Sequence, residues 1–116
     1  MKLIGSRTEQ DYREKLIRSN LSLRDESDPL AAALRAAGVD VANVYVIYWI
    51  PEQDEDLYEV LTPAGEIVTV ELPRYSGDIL LHRQPLKDYE RKCSAQRRIK
   101  LAVALELIAS KVRHVS

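Results

Sequence analysis

The chain has 116 residues, 46% of them hydrophobic and 30% charged, with a formal net charge of −1. That length suffices for one domain with a core of its own, and the composition excludes wholesale disorder. The charge balance excludes a protein built to sheathe nucleic acid but leaves room for a local basic face.

Ser6-Arg-Thr-Glu9 has the spacing of a capping box, in which hydroxyl and carboxylate each take a backbone N–H at a helix start. Tyr12, Leu16 and Ile17 continue it as an apolar stripe among Arg7, Arg13, Lys15 and Arg18, predicting a helix over about 7–20 with Leu3 and Ile4 packed on it. Ser19–Ser27 reads as a loop. Asp28-Pro29 begins a second helix, because proline lacks the N–H that would go unpaired at that position. Leu30 and Leu34 lie four apart among alanines that allow close approach to a sheet or another helix, and Gly38 supplies the left-handed stop.

Residues 41–50 form an apolar strand, either central in its sheet or covered on both sides: simple alternation sets Val44, Val46, Tyr48 and Ile50 on one side and Tyr45, Ile47 and Trp49 on the other. Leu57–Leu61 is a second strand. A Pro63–Glu66 turn leads to a third, Ile67–Leu72, whose Thr69 and Glu71 mark a wetter face. Pro73–Gly77 is a turn before a fourth strand within Asp78–Arg83. From Leu86 to Arg113 no glycine or proline interrupts a helical pattern. Leu101, Leu105, Ile108 and Val112 form one stripe, and Ile99, Val103 and Leu107 form another beside it. Such a wide apolar surface suits either the centre of the core or a homodimer through this helix. The sum is one α+β domain over residues 1–116: two N-terminal helices, an antiparallel meander of three to four strands, and a long C-terminal helix packed on the sheet. Its core draws on Tyr12, Leu16, Leu34, Val44, Val46, Ile50, Val60, Val68, Val70, Leu101, Leu105 and Ile108.

The single cysteine, Cys93, has no internal disulfide partner and fits a reducing, cytoplasmic setting. The opening residues lack the apolar stretch of a signal peptide. No window reaches the roughly 18 consecutive apolar residues of a membrane span, so no membrane partner is expected.

The feature richest in chemistry is the first hairpin. Glu52, Asp54, Glu55, Asp56 and Glu59 place five carboxylates in eight residues, bracketed by Trp49 and Tyr58. Charge that steers an encounter, beside aromatics that anchor it, is what a docking surface for a basic protein requires. A solvated hairpin tip kept charged against aggregation has the same composition. The spacing is not that of a calcium hand loop.

A basic segment follows: Arg83, Lys87, Arg91, Lys92, Arg97, Arg98 and Lys100 against Asp88 and Glu90. Arg91, Lys92, Arg97 and Arg98 could hold a phosphate backbone or a phospho-ligand, but Tyr89 is the only ring nearby for stacking bases. The acidic and basic segments could also satisfy each other within the chain or across a dimer. His82, Cys93 and Asp78 or Asp88 supply the residue types of a nucleophilic site without a spacing that brings them together, and His114 lies near the terminus. Glu59 and Glu71 could face each other as an acid–base pair. No glycine-rich phosphate loop and no zinc-ligand spacing occurs, so no cofactor is implied. The expectation is a non-catalytic protein-binding module, an inhibitor or immunity-type protein whose acidic hairpin meets a basic partner. Nucleic-acid or phospho-ligand binding by the basic helix is the alternative.

Overall fold

A computed structural model describes the backbone over residues 2–25, 27–75 and 77–115, and side chains over 9–25, 27–75 and 77–110. The elements in order are α1 (Lys2–Ser22), α2 (Pro29–Ala36), a 3₁₀ turn (Val41–Asn43), β1 (Tyr45–Pro51), β2 (Glu55–Leu61), β3 (Glu66–Pro73), β4 (Leu80–Pro85), α3 (Leu86–Arg91) and α4 (Ala95–Val115). The strands form one antiparallel sheet in the order β1-β2-β3-β4. The fold is α+β, with helices on both faces of that sheet.

The second helix starts and stops where its sequence implies. Asp28 accepts the Ala31 N–H at 3.1 Å, and Pro29 occupies the first turn. Gly38 at φ +82° lets the Val39 N–H fold back onto the Leu34 carbonyl at 2.9 Å. The β2–β3 turn closes between Thr62 and Glu66 with Gly65 at φ +79°.

Several boundaries differ from expectation: Val41–Asn43 is a 3₁₀ turn where the sequence predicts the first strand to begin, and α1 runs through Ser22 into the expected Ser19–Ser27 loop. The first helix begins at Lys2, ahead of Ser6, because no proline stops it there. The side chains of Leu3, Ile4, Ser6, Arg7, Val112, Arg113 and His114 lie outside those described. The long C-terminal helix is broken at Lys92–Ser94. Ser94 Oγ accepts the Arg97 N–H at 3.2 Å, which caps α4 and turns the chain between α3 and α4.

Against one sheet face, α2 buries Leu30, Ala31, Ala33 and Leu34 on Val44, Val60, Val68 and Val70. Against the other, Leu16 of α1, Tyr89 of α3, and Leu101, Val103 and Ala104 of α4 enclose Tyr45, Ile47, Leu61 and Ile67. Of the expected core residues Tyr12, Val46, Ile50, Leu105 and Ile108 are only partly buried, whereas Tyr45, Ile47, Leu61 and Ile67 are fully enclosed. Both faces of the sheet are covered, so both phases of the alternation are used.

The wide apolar surface of α4 has an explanation within the chain. One part meets the sheet, and another lies along α1, where Arg13 reaches Glu106 at 3.4 Å and Lys100 stands 5.9 Å from the Tyr12 ring centroid. The β1 edge is sealed by α1. Ser19 Oγ accepts the Val46 N–H at 3.1 Å, and Asn20 donates to the carbonyls of Val41, Ala42 and Val44 at 3.0–3.1 Å. Among the described residues no helix is long and apolar enough to cross a membrane.

Candidate functional site

A β-bulge in β1 decides what the first hairpin presents. Val46 pairs with Val60, but Tyr48 pairs with Glu59, so Ile47 is the extra residue. Beyond it the alternation is inverted. Ile47 and Tyr48 both face the α4 side, and Trp49 moves to the α2 side, directly across from Tyr58. The expected grouping of Tyr48 and Ile50 with Val44 and Val46 is thereby corrected: a residue inserted without a partner shifts every later side chain to the other face. The rings of Trp49 and Tyr58 then lie offset, 6.4 Å between centroids and 10° between planes.

The hairpin tip and the β3–β4 loop occupy the same end of the sheet, joined by Arg74. Its backbone N–H donates to the Asp54 carbonyl at 3.0 Å, and its guanidinium takes both Asp56 oxygens, the shorter contact being 2.7 Å. Trp49 Nε1 also donates to Asp56 at 3.3 Å. These charge-assisted bonds, led by Arg74, hold the Asp56 carboxyl below the usual aspartate range.

The remaining carboxylates divide by face. Glu59 is turned toward the helices: it accepts the Tyr89 hydroxyl at 2.8 Å and lies 3.7 Å from Arg97, whose guanidinium stacks 3.9 Å over the Tyr48 ring. Burial, then the Glu59 hydrogen bond, pushes the Tyr89 hydroxyl pKa up. Glu59 is therefore satisfied inside the chain, by Tyr89 of α3 and Arg97 of α4. Glu71 shares its face but pairs across from Leu57, while Glu59 pairs across from Thr69, so the two glutamates are diagonal neighbours and not opposite partners.

Glu52, Asp54, Glu55 and Glu71 make no ion pair among the described residues. The Glu55 carboxyl is pushed up, first by desolvation and then by the charges of Glu71, Glu52 and Asp54. The same end exposes Trp49 (56%), Tyr75 (83%), Ile79 (50%) and Leu80 (56%), the larger part of the big apolar side chains that α1, α4 and the sheet leave in water. Register divides them by face: Trp49 lies on the α2 side with Tyr58 and Val70, whereas Leu80 pairs across from Glu71 on the α4 side. The chain matches no protein-family model, no curated protein and no solved structure.

The basic segment is divided: Lys87, Arg91 and Arg98 line one groove with Glu90, while Arg97 turns away from it. Arg97 is committed to Tyr48 and Glu59, and Arg98 donates to the Glu90 carbonyl at 3.3 Å. Arg91 and Lys92 are exposed at the end of α3, beside grooves that also take Lys87 and His82. The groove lined by His82 includes Asp88 but not Cys93. Cys93 instead packs at the α3–α4 turn, where burial raises its thiol pKa and so lowers its reactivity. Among the described residues no three His, Cys, Asp or Glu side chains come together as a metal site would require.

Sequence reasoning found the hairpin acids and the aromatic pair but passed over Arg74, Tyr75, Ile79 and Leu80. Ile79 and Leu80 fall within the expected fourth strand over Asp78–Arg83. Nothing local announces that β4 is an edge whose start reaches the tip.

Proposed function

We propose that the chain is a non-catalytic protein-binding module whose sheet end, bearing the first hairpin and the β3–β4 loop, docks on a basic surface of another protein. The supporting observation is the company Glu52, Asp54, Glu55 and Glu71 keep. They lack cationic partners among the described residues, and the same end of the sheet carries exposed Trp49 on its α2 side and exposed Leu80, across from Glu71, on its α4 side. Charge of one sign raises the encounter rate with a partner of opposite sign, and aromatic side chains contribute the desolvated contacts that hold it. A small inhibitor or immunity-type protein is the form that best fits this size and charge arrangement. Asp56 belongs to the scaffold of the site, since Arg74 and Trp49 fasten it. Glu59 belongs to the helix contact.

A partner retrieved from the source cells provides the test. Reversing Glu52, Asp54 and Glu55 to lysine should slow its association by about tenfold or more at low salt and flatten the salt dependence. Unchanged kinetics would reject the docking surface. A homodimer through α4 would use the part of its apolar surface that α1 and the sheet leave uncovered, half-buried Leu105, Leu107 and Ile108 and exposed Ile99; sedimentation at increasing concentration addresses it.

Binding of nucleic acid or a phospho-ligand at Arg91 and Lys92 is the second reading, favoured by their exposure at the end of α3. Anisotropy with generic DNA and RNA at low salt separates the two. Tight binding abolished by Arg91→Glu and Lys92→Glu would replace the protein-docking reading.

A further inference from the structure

On the α2 side of the sheet, a groove of about 470 Å³ runs between α2 and the strand ends, floored by Ala32, Ala33, Ala36 and Leu72 and walled by Tyr75 and Ile79. The groove exists because of residue size. Ala31 and Ala33 let α2 approach the sheet, but Ala32 and Ala36, one turn apart and exposed, leave an open trench where longer side chains would fill the space. None of the residues lining it is charged, whereas Asp28 borders it at the α2 start and Asp78 stands between Gly77 and Ile79. Of the neighbouring cations, Arg74 is already neutralised by Asp56, and Arg35, next to Ala36, donates to the Leu23 carbonyl at 3.3 Å. Leu72 on the floor pairs across from Asp56, so the groove shares its sheet face with the Trp49–Tyr58 pair and lies next to the acidic tip.

An apolar seat with an acidic border selects a ligand that is apolar at its centre and cationic around it. We infer that the groove receives a leucine- or isoleucine-sized side chain of the basic partner, carried on a segment whose lysines or arginines face Asp28, Asp78 and the hairpin acids. This rests on the docking reading above and adds the partner's side-chain pattern to it. The volume lies within the range of small-ligand pockets, roughly 300–1,000 Å³, and accommodates one or two such side chains.

The test uses the full ¹⁵N-labelled chain and three synthetic peptides: Lys-Arg-Leu-Leu-Arg-Lys, the same peptide with alanine for leucine, and the same with glutamate for each cation. The leucine peptide should shift the amides of Ala32, Ala36, Tyr75, Gly77 and Ile79 together with those of Glu52–Glu55. The alanine peptide should shift only the tip, and the glutamate peptide neither. Ala36→Arg, at an exposed helical position, should weaken the leucine peptide by about tenfold while the tip shifts persist, and Ile79→Ser provides the same reading without added charge. Equal binding of the leucine and alanine peptides with shifts confined to the tip would overturn the groove and leave the docking surface standing. No shift with either cationic peptide would overturn both. Groove shifts that grow with protein concentration alone would make a second copy the occupant and overturn the assignment.

Discussion

Asn20 is nearly fully buried, with its amide nitrogen 3.0–3.1 Å from the carbonyls of Val41, Ala42 and Val44 and its oxygen accepting Arg24 Nη2 at 3.1 Å. The three carbonyls can only receive N–H and the guanidinium can only donate, so the environment dictates the amide's orientation. Asn20→Leu removes the side-chain donor from the Val41 and Val44 carbonyls and should cost about 2–3 kcal/mol, read as a lowered urea midpoint. Tyr89→Phe removes one bond from Glu59 but leaves Arg97 beside it, and a smaller loss of about 1 kcal/mol is expected by the same measurement. At the tip, adjacent carboxylates have their pKa values displaced in opposite directions. Asp56 is depressed by Arg74, so its contribution to stability is present above the ordinary aspartate value near 3.9 and is lost as pH falls through its folded value. Glu55 is raised by desolvation and by its acidic neighbours, so its ionised form is disfavoured in the folded chain, and that cost fades as pH falls through its folded value. Urea unfolding across acidic pH should therefore find Asp56→Asn weaker at neutral pH with the gap closing in acid. Glu55→Gln should be at least as stable as the parent at neutral pH, that difference also vanishing in acid.

Among the elements, the α3–α4 break and the β1 bulge position the site. The break brings Tyr89 and Arg97 onto Glu59 from two short helical ends, which one straight helix could not do. Ser94→Ala removes the α4 cap and should cost about 1 kcal/mol, with loss of amide protection confined to the first turn of α4. The signal was available, since serine before a helical stripe is a start sign; the absence of glycine and proline masked it. The bulge had no such signal. Ile47 is an ordinary β-former, and only its partners on β2 show that it is supernumerary. The caps at Asp28 and Gly38 and the Pro63–Glu66 turn were legible because each depends on a few adjacent residues.

Taken as a whole, the chain is nearly neutral, yet its charges are unevenly used. Glu66, Glu59 and Asp56 are paired with Arg83, Arg97 and Arg74, while the four tip acids are unpaired among the described residues. Acids that repel one another do not stabilise the fold, so replacing Glu52, Asp54 and Glu55 by glutamine should leave the thermal midpoint unchanged or higher while still weakening a basic partner. Loss of both stability and binding would show that these side chains serve the fold, and a thermal melt run beside the binding assay decides between the two.

From the residues alone came the class of the fold, the order of its strands, the two caps of α2, the β2–β3 turn, and the concentration of acid on one hairpin, because alternation, helical periodicity and capping act over a few neighbouring residues. Folding determined which of those acids are free. Glu59 looks like its neighbours in the chain but meets Tyr89 and Arg97, thirty and thirty-eight positions further on. Trp49 found Tyr58 only through an inverted alternation, and Tyr75 and Ile79 reached the same end only once β4 paired with β3. Such contacts arise from strand pairing and helix docking between distant segments, and no local pattern encodes them.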